Sequence, residues 1–228
     1  WAYREISLLL ERAPGRDSYP GDIFYLHSKL VERAACLTDK YGGGSMTHLP
    51  IVETLEGDLT GYVQSNLVSM TDGQIMISAS LFGEGQRPAV DLGLSVSRVG
   101  SKVQWPIVKK FSGPLRLEYL QYREVLRVSR LKTGAQTEDA EKQMKSGAIL
   151  TELIKQPPSK PVPMESLSII LFAYSKMILH EMSIEEVNIF QAEAYDYFMK
   201  QDPEWMKLLR QKRDMDDPMK KRCEEILQ

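Results

Sequence analysis

The chain has 228 residues, 43% of them hydrophobic, which is enough for a sizeable core and excludes a disordered tail. Its 29 Lys and Arg against 31 Asp and Glu give a formal charge of -2, which argues against a nucleic-acid partner that needs a net basic face. Cys36 and Cys223 lie far apart without CxxC or Cys/His spacing, so two unpaired thiols in a reducing compartment are expected, and no apolar run reaches the roughly 18 to 20 residues of a membrane span. Any membrane link must then pass through partners. The sequence opens on Trp1 with no methionine or targeting segment, so it is expected to be processed or drawn from something longer.

Of the 15 glycines, 13 lie at or before Gly113, and this shift divides the chain. In the first part, "SKLVERAACLTDK" sets Leu30, Val31, Ala34 and Leu37 on one helical stripe and stops at Gly42-Gly43-Gly44. The glycines of "YGGGSMTH" can cradle an anion, but the Gly-Lys-Ser/Thr ending is absent, and a helix stop with a flexible loop is the simpler reading. Short β-rich runs follow: "LPIVET", "GQIMIS" and "PAVDLGLSVSRV". With helices between them they predict an α/β fold with an open, mostly parallel sheet.

From Leu115 onward the pattern predicts a helical bundle. "LRLEYLQYREVLRVSR" is amphipathic, and "TEDAEKQMKSGAILTELIKQ" opens on acidic residues and stops at Pro157-Pro158. "KQPPSKPVPM" predicts a rigid loop between two helices. Ser183 and Glu186 form a capping box, while Asp202-Pro203 and Asp217-Pro218 read as N-cap plus first helical residue. Tyr174, Met177, Phe190, Tyr197, Phe198, Trp205 and Met206 recur at helical intervals, as core packing requires. The mixed-sign run "KLLRQKRDMDDPMKKRCEE" reads as a solvated helix pair, with an interaction surface as the minor alternative. His27, His48 and His180 are scattered without ligand spacing, so no metal site is expected from this chain alone.

In "GLSVSRVGS" a run of small and β-branched residues, of the kind buried in a sheet, ends on Arg98. A strand end there places a guanidinium at the carboxyl edge of the sheet, where open α/β folds bind ligands. Two readings stand: a surface or salt-bridging arginine, or a planar, permanently charged fork for phosphate.

"RAPGRDSYPGDIFYLHSKLVERAA", "GGGSMTHLPIVETLEGDLTGYV", "TDGQIMISASLFGEGQRPAVDLGLSVSRVGS" and "LTELIKQ" together resemble the alpha subunits of F-type ATP synthases, in that family's order and spacing. The resemblance implies the later part of a RecA-like P-loop NTPase domain over residues 1–104, without the P-loop itself, followed by a helical domain over residues 105–228. It further implies a rotary head in which alpha and beta subunits alternate in a hexamer around a central gamma shaft, held by a peripheral stalk.

In that family the arginine of "SVSR" reaches the catalytic site of the adjacent beta subunit, so the resemblance makes Arg98 an arginine finger for ATP synthesis coupled to proton transport. Val96, Ser97 and Ser69 are implied at the same interface. Phe82, Arg87 and Pro88 match the adenine end of alpha's own non-catalytic site, and Gln156 matches the first of two family glutamines near the base. The second glutamine is replaced in Gln156-Pro157-Pro158, and Asp91 stands where alpha subunits commonly have asparagine. ATP or ADP with Mg is the implied ligand. Its phosphate and magnesium ligands are expected from outside this chain, in the N-terminal half of alpha on the same or a separate polypeptide, so the isolated chain is expected to be inactive. The implied location is the mitochondrial matrix, peripheral to the inner membrane, with a bacterial cytoplasmic face or plastid stroma as alternatives. The alternative function is a structural or regulatory RecA-like subunit of a related rotary or secretion ATPase that contributes nothing to catalysis.

Overall fold

In a computed structural model of the chain, residues 1–55, 57–129 and 138–227 are described. They form two compact units: Trp1–Gln74 with Val96–Val99, and Ile75–Ser95 with Gly100–Gln228.

The first unit holds helices α1 (Ala2–Leu9), α2 (Ile23–Val31) and α3 (Tyr62–Met70) and the strands β1 (Gly73–Gln74) and β2 (Val96–Ser97). Helix α2 lies earlier than its stripe predicts. Beyond Val31 the backbone leaves the helix: Leu37 N–H donates to the Gly44 carbonyl and Met46 N–H to the Ala35 carbonyl, each across 2.9 Å. Those pairings, with the Cys36–Ser45 bridge, occupy the groups that would have continued the helix. The glycine run therefore closes a loop and does not stop α2.

The mostly parallel sheet is not formed among the described residues. "LPIVET" has no regular structure, and β1 pairs with β2 antiparallel in the register Gly73 to Ser97 and Gln74 to Val96. The physical reason is the lack of neighbours. A parallel strand needs partners at its sides and cover on both faces, whereas here Ile51 is 98% exposed and Ile75 73%. In the run ending in Arg98, Leu94 and Val96 are likewise about half exposed.

The second unit contains α4 (Ala79–Gly83), α5 (Pro106–Ser129), α6 (Glu138–Ile154), α7 (Met164–Ser175), α8 (Ile184–Gln201), α9 (Pro203–Lys212) and α10 (Asp217–Leu227). Thr137, the expected start of α6, lies outside the described residues. Helix α5 begins well before Leu115 and runs through Pro114, which sits on its exposed side. Helix α7 carries the "LSIILFAY" run and is apolar nearly all round, as a central helix must be. Its Ile169 and Phe172 join Trp205, Phe198 and Leu209 in one core cluster, while Ile170, Ala173 and Tyr174 join Tyr119, Ile149 and Val187 in another. No helix among the described residues is long and apolar enough to cross a membrane.

Local signals read well here. The Ser183–Glu186 capping box is present on both sides, and Asp202 accepts the Trp205 N–H across 3.0 Å at the start of α9. At α10 the cap moves by one residue: Asp216, not Asp217, accepts the Met219 N–H, across 3.1 Å. Of the aromatic and methionine positions expected in the core, Tyr174, Phe198, Trp205 and Met206 are buried and Phe190 packs at its edge. Met177 and Tyr197 are exposed instead, at 59% and 49%. Residues 155–163 form the expected interhelical loop. Where α5 meets α6, Gly147 lies directly on Tyr122: a Cβ added at 147 would come within 2.0 Å of the Tyr122 ring carbon Cγ. Both thiols are free, and burial pushes the Cys223 thiol up to about 12.

Candidate functional site

In the first unit the turn "TDG" joins α3 to β1, and β2 returns antiparallel beside it to end on Arg98. The Arg98 N–H donates to the Asp72 carbonyl across 2.7 Å. Its exposed guanidinium donates to the Ser69 carbonyl at 2.9 Å and the Val68 carbonyl at 3.3 Å. These carbonyls belong to the last turn of α3, where intrahelical partners run out and the helix dipole favours a cation. Arg98 forms no ion pair among the described residues. The structure thus brings Arg98 and Ser69 together, although through the Ser69 main chain: its hydroxyl donates back to the Asn66 carbonyl at 2.7 Å. Val96 and Ser97 lie in β2, both exposed.

Phe82, Arg87, Pro88 and Gln156 gather in the second unit. The Ile77–Val90 bridge, with the Ser78 N–H on the Ala89 carbonyl and the Asp91 N–H on the Met76 carbonyl, closes the base of a loop made of α4 and residues 84–88. At its tip the Arg87 guanidinium carbon stands 4.5 Å from the centre of the Phe82 ring, and both side chains are exposed. The Arg87–Pro88 peptide is cis. Gln156 N–H donates to the Arg87 carbonyl at 2.8 Å, which ties the end of the α6 segment to the tip. The flat aromatic and guanidinium faces fit a purine base.

Two contacts, one buried and one at the surface, fix this loop to α5. Tyr119 donates its hydroxyl to Gln86 Oε1 at 3.1 Å, and Arg123 pairs with Glu84 at 2.7 Å. Gln86 is 3% exposed, and its Nε2 has no partner among the described residues. Burial works against the charge of Arg123, yet the Glu84 carboxylate holds its pKa above the usual arginine value. Between α4 and α5 lies an open cleft of about 610 Å³ lined by Leu81, Asp91, Tyr119 and Arg127 among others, and none of the expected base-binding residues lines it.

Sequence reasoning missed Thr71 and Gly73 at the first site and Gln86 and Tyr119 at the second. A Thr-Asp-Gly turn signal after a helix marks the first pair. Nothing local marks the second, because the partners are 33 residues apart.

A family model described as "ATP synthase alpha/beta family, nucleotide-binding domain" matches residues 1–97, and one described as "ATP synthase alpha/beta chain, C terminal domain" matches residues 104–228. The ATP synthase subunit alpha of Clostridium acetobutylicum is 48% identical over 196 residues, covering 86% of this chain and 39% of that protein. That of Aquifex aeolicus is 43% identical over 227 residues, covering 99% of this chain and 45% of that protein. That of Wolinella succinogenes is 43% identical over 215 residues, covering 94% and 43% respectively. The chain therefore spans less than half the length of these relatives.

Proposed function

Because the chain belongs to the ATP synthase alpha/beta family and matches alpha subunits over the end of the nucleotide-binding domain and the C-terminal domain, we propose that it serves as part of a non-catalytic alpha subunit in ATP synthesis coupled to proton transport. The observation that carries this reading is Arg98. It follows β2 on an exposed surface, and its fork rests on two neutral carbonyls, with no carboxylate among the described residues pairing with it. A guanidinium so held keeps a full positive charge to offer a partner's phosphate. In phosphoryl transfer, negative charge spreads over the terminal phosphoryl oxygens, and an arginine from a neighbouring subunit stabilises it by roughly 10³ to 10⁵ in rate.

Arg98 is accordingly the arginine finger for the adjacent beta subunit, with Ser69, Val96 and Ser97 lining the same interface. Phe82, Arg87, Pro88 and Gln156 form the adenine end of alpha's own non-catalytic site for ATP or ADP with Mg. Arg87 and Phe82 stack on the base, Pro88 shapes the tip, and Gln156 holds the tip through its main chain. The phosphate and magnesium ligands come from outside this chain, so the isolated chain is inactive. Residues 1–104 act as the nucleotide-domain part and 105–228 as the helical domain. Beta subunits, the remainder of alpha, the central gamma shaft and the peripheral stalk are the partners. A mitochondrial-matrix location rests on the sequence reading alone; the relatives named above are bacterial.

The test is Arg98→Ala in the assembled complex, read as steady-state ATP hydrolysis. A loss of at least about 10³-fold is expected. Unchanged hydrolysis removes the finger role.

A further inference from the structure

We propose that Thr71 and Gly73 are positioning residues for Arg98, closing the end of α3, β1 and β2 into a knot that sets the direction of the guanidinium. The inference rests on the finger reading of Arg98 given above. Three contacts make the knot. The half-buried Thr71 hydroxyl lies 2.9 Å from the Leu67 carbonyl in the last turn of α3 and 3.0 Å from the Gly73 carbonyl in β1, within donating distance of both. That one proton, shared between two acceptors, fastens the strand to the helix.

Gly73 then admits β2. It has φ +149, and a Cβ there would lie 2.1 Å from the Val96 carbonyl oxygen and 2.9 Å from the Ser97 Cα. Both neighbours are main chain, so neither can give way by turning a side chain. Any side chain at 73 pushes away the two residues that precede Arg98. The last contact is the Arg98 N–H on the Asp72 carbonyl, between Thr71 and Gly73 in sequence.

The carbonyls that hold the Arg98 fork belong to α3, and the backbone that carries Arg98 follows directly on β2. The aim of the side chain is therefore set by how α3 and β2 are joined, and that join is the Thr71–Gly73 turn. An arginine held in this way has lost much of its rotamer freedom before a phosphate arrives, which is the advantage of preorganisation. A misplacement of about 1 Å is costly for a group that must meet developing charge.

The test uses the assembled complex with Thr71→Val, which keeps the shape and removes the hydroxyl, Thr71→Ser, which restores it, and Gly73→Ala, each alone and with Arg98→Ala. Amide exchange of peptides spanning residues 94–99 reports on the join independently of catalysis. The expected result is faster exchange there in Thr71→Val and Gly73→Ala. It is accompanied by a drop in kcat on the order of tenfold with KM unchanged, recovery in Thr71→Ser, and no further loss when Arg98 is already alanine. Unchanged exchange, or a loss of the same size with Arg98 absent, overturns the inference while leaving the finger reading intact. Normal turnover in Arg98→Ala alone overturns both.

Discussion

The main-chain N–H of Gln156 donates to the carbonyl of Arg87, so the loop after α6 fixes the residue whose guanidinium lies over Phe82. The side chain of Gln156 takes no part in that bond, and the following Pro157 has no N–H of its own to add.

Arg87→Ala removes one of the two flat faces at the tip. In the assembled complex, adenine-nucleotide binding at the non-catalytic site is expected to weaken by about 1 to 3 kcal/mol, the range for losing a stacking partner. Arg87→Lys should recover only part, because an ammonium has no plane to stack. Equilibrium titration with a fluorescent adenine nucleotide measures this, and a Gln156→Ala control should bind nearly normally, since only its main chain is used.

Gln86→Leu should destabilise the second unit by about 1 to 3 kcal/mol, because it leaves the buried Tyr119 hydroxyl without its acceptor. Adding Tyr119→Phe should recover most of that loss, since the Gln86 amide has a donor with no partner among the described residues to be rid of. A double-mutant cycle by thermal denaturation reads the coupling directly.

Asp202 caps α9 and also pairs with Arg222, with its carboxylate almost fully buried. Asp202→Ala is expected to cost about 1 to 2 kcal/mol through the lost cap. Asp202→Asn keeps an oxygen for the Trp205 N–H and should cost less. Denaturant unfolding of the three proteins orders them.

His180 packs at a tilt on Tyr174, 4.6 Å between ring centres, and its Nδ1 is buried with no partner among the described residues. Burial lowers its pKa; Glu118, which accepts a hydrogen bond from the Tyr174 hydroxyl at 2.6 Å, opposes that and Lys145 adds to it. With the folded pKa below the unfolded value of about 6.5, the unfolded chain takes up the proton first as pH falls. Stability is thus full above about pH 6.5 and declines on acidification through the folded pKa. His180→Gln should flatten that part of the stability profile, as measured by melting temperature between pH 7.5 and 5.

The helical half was largely legible because its signals are local: caps at Ser183 and Asp202, prolines after α6, and an all-round apolar α7. The sheet was not, because "LPIVET" can become a strand only beside partners that the described residues do not provide. The grouping of Phe82, Arg87 and Gln156 came from the resemblance; periodicity alone would have left them a surface loop and a helix end. Thr71 escaped notice because a hydroxyl that bridges a helix end and a strand leaves no periodic trace. Its signal was the turn itself.

The absence of a single methyl group at Gly147 also decides how near two helices can lie. Tyr122 fills the space a Cβ would take, and its own Cβ would lie 2.5 Å from that atom, so trimming the ring makes no room. Any side chain at 147 must instead push α5 and α6 apart. The closeness of the α5–α6 pair is therefore set by one position on α6 that carries no side chain.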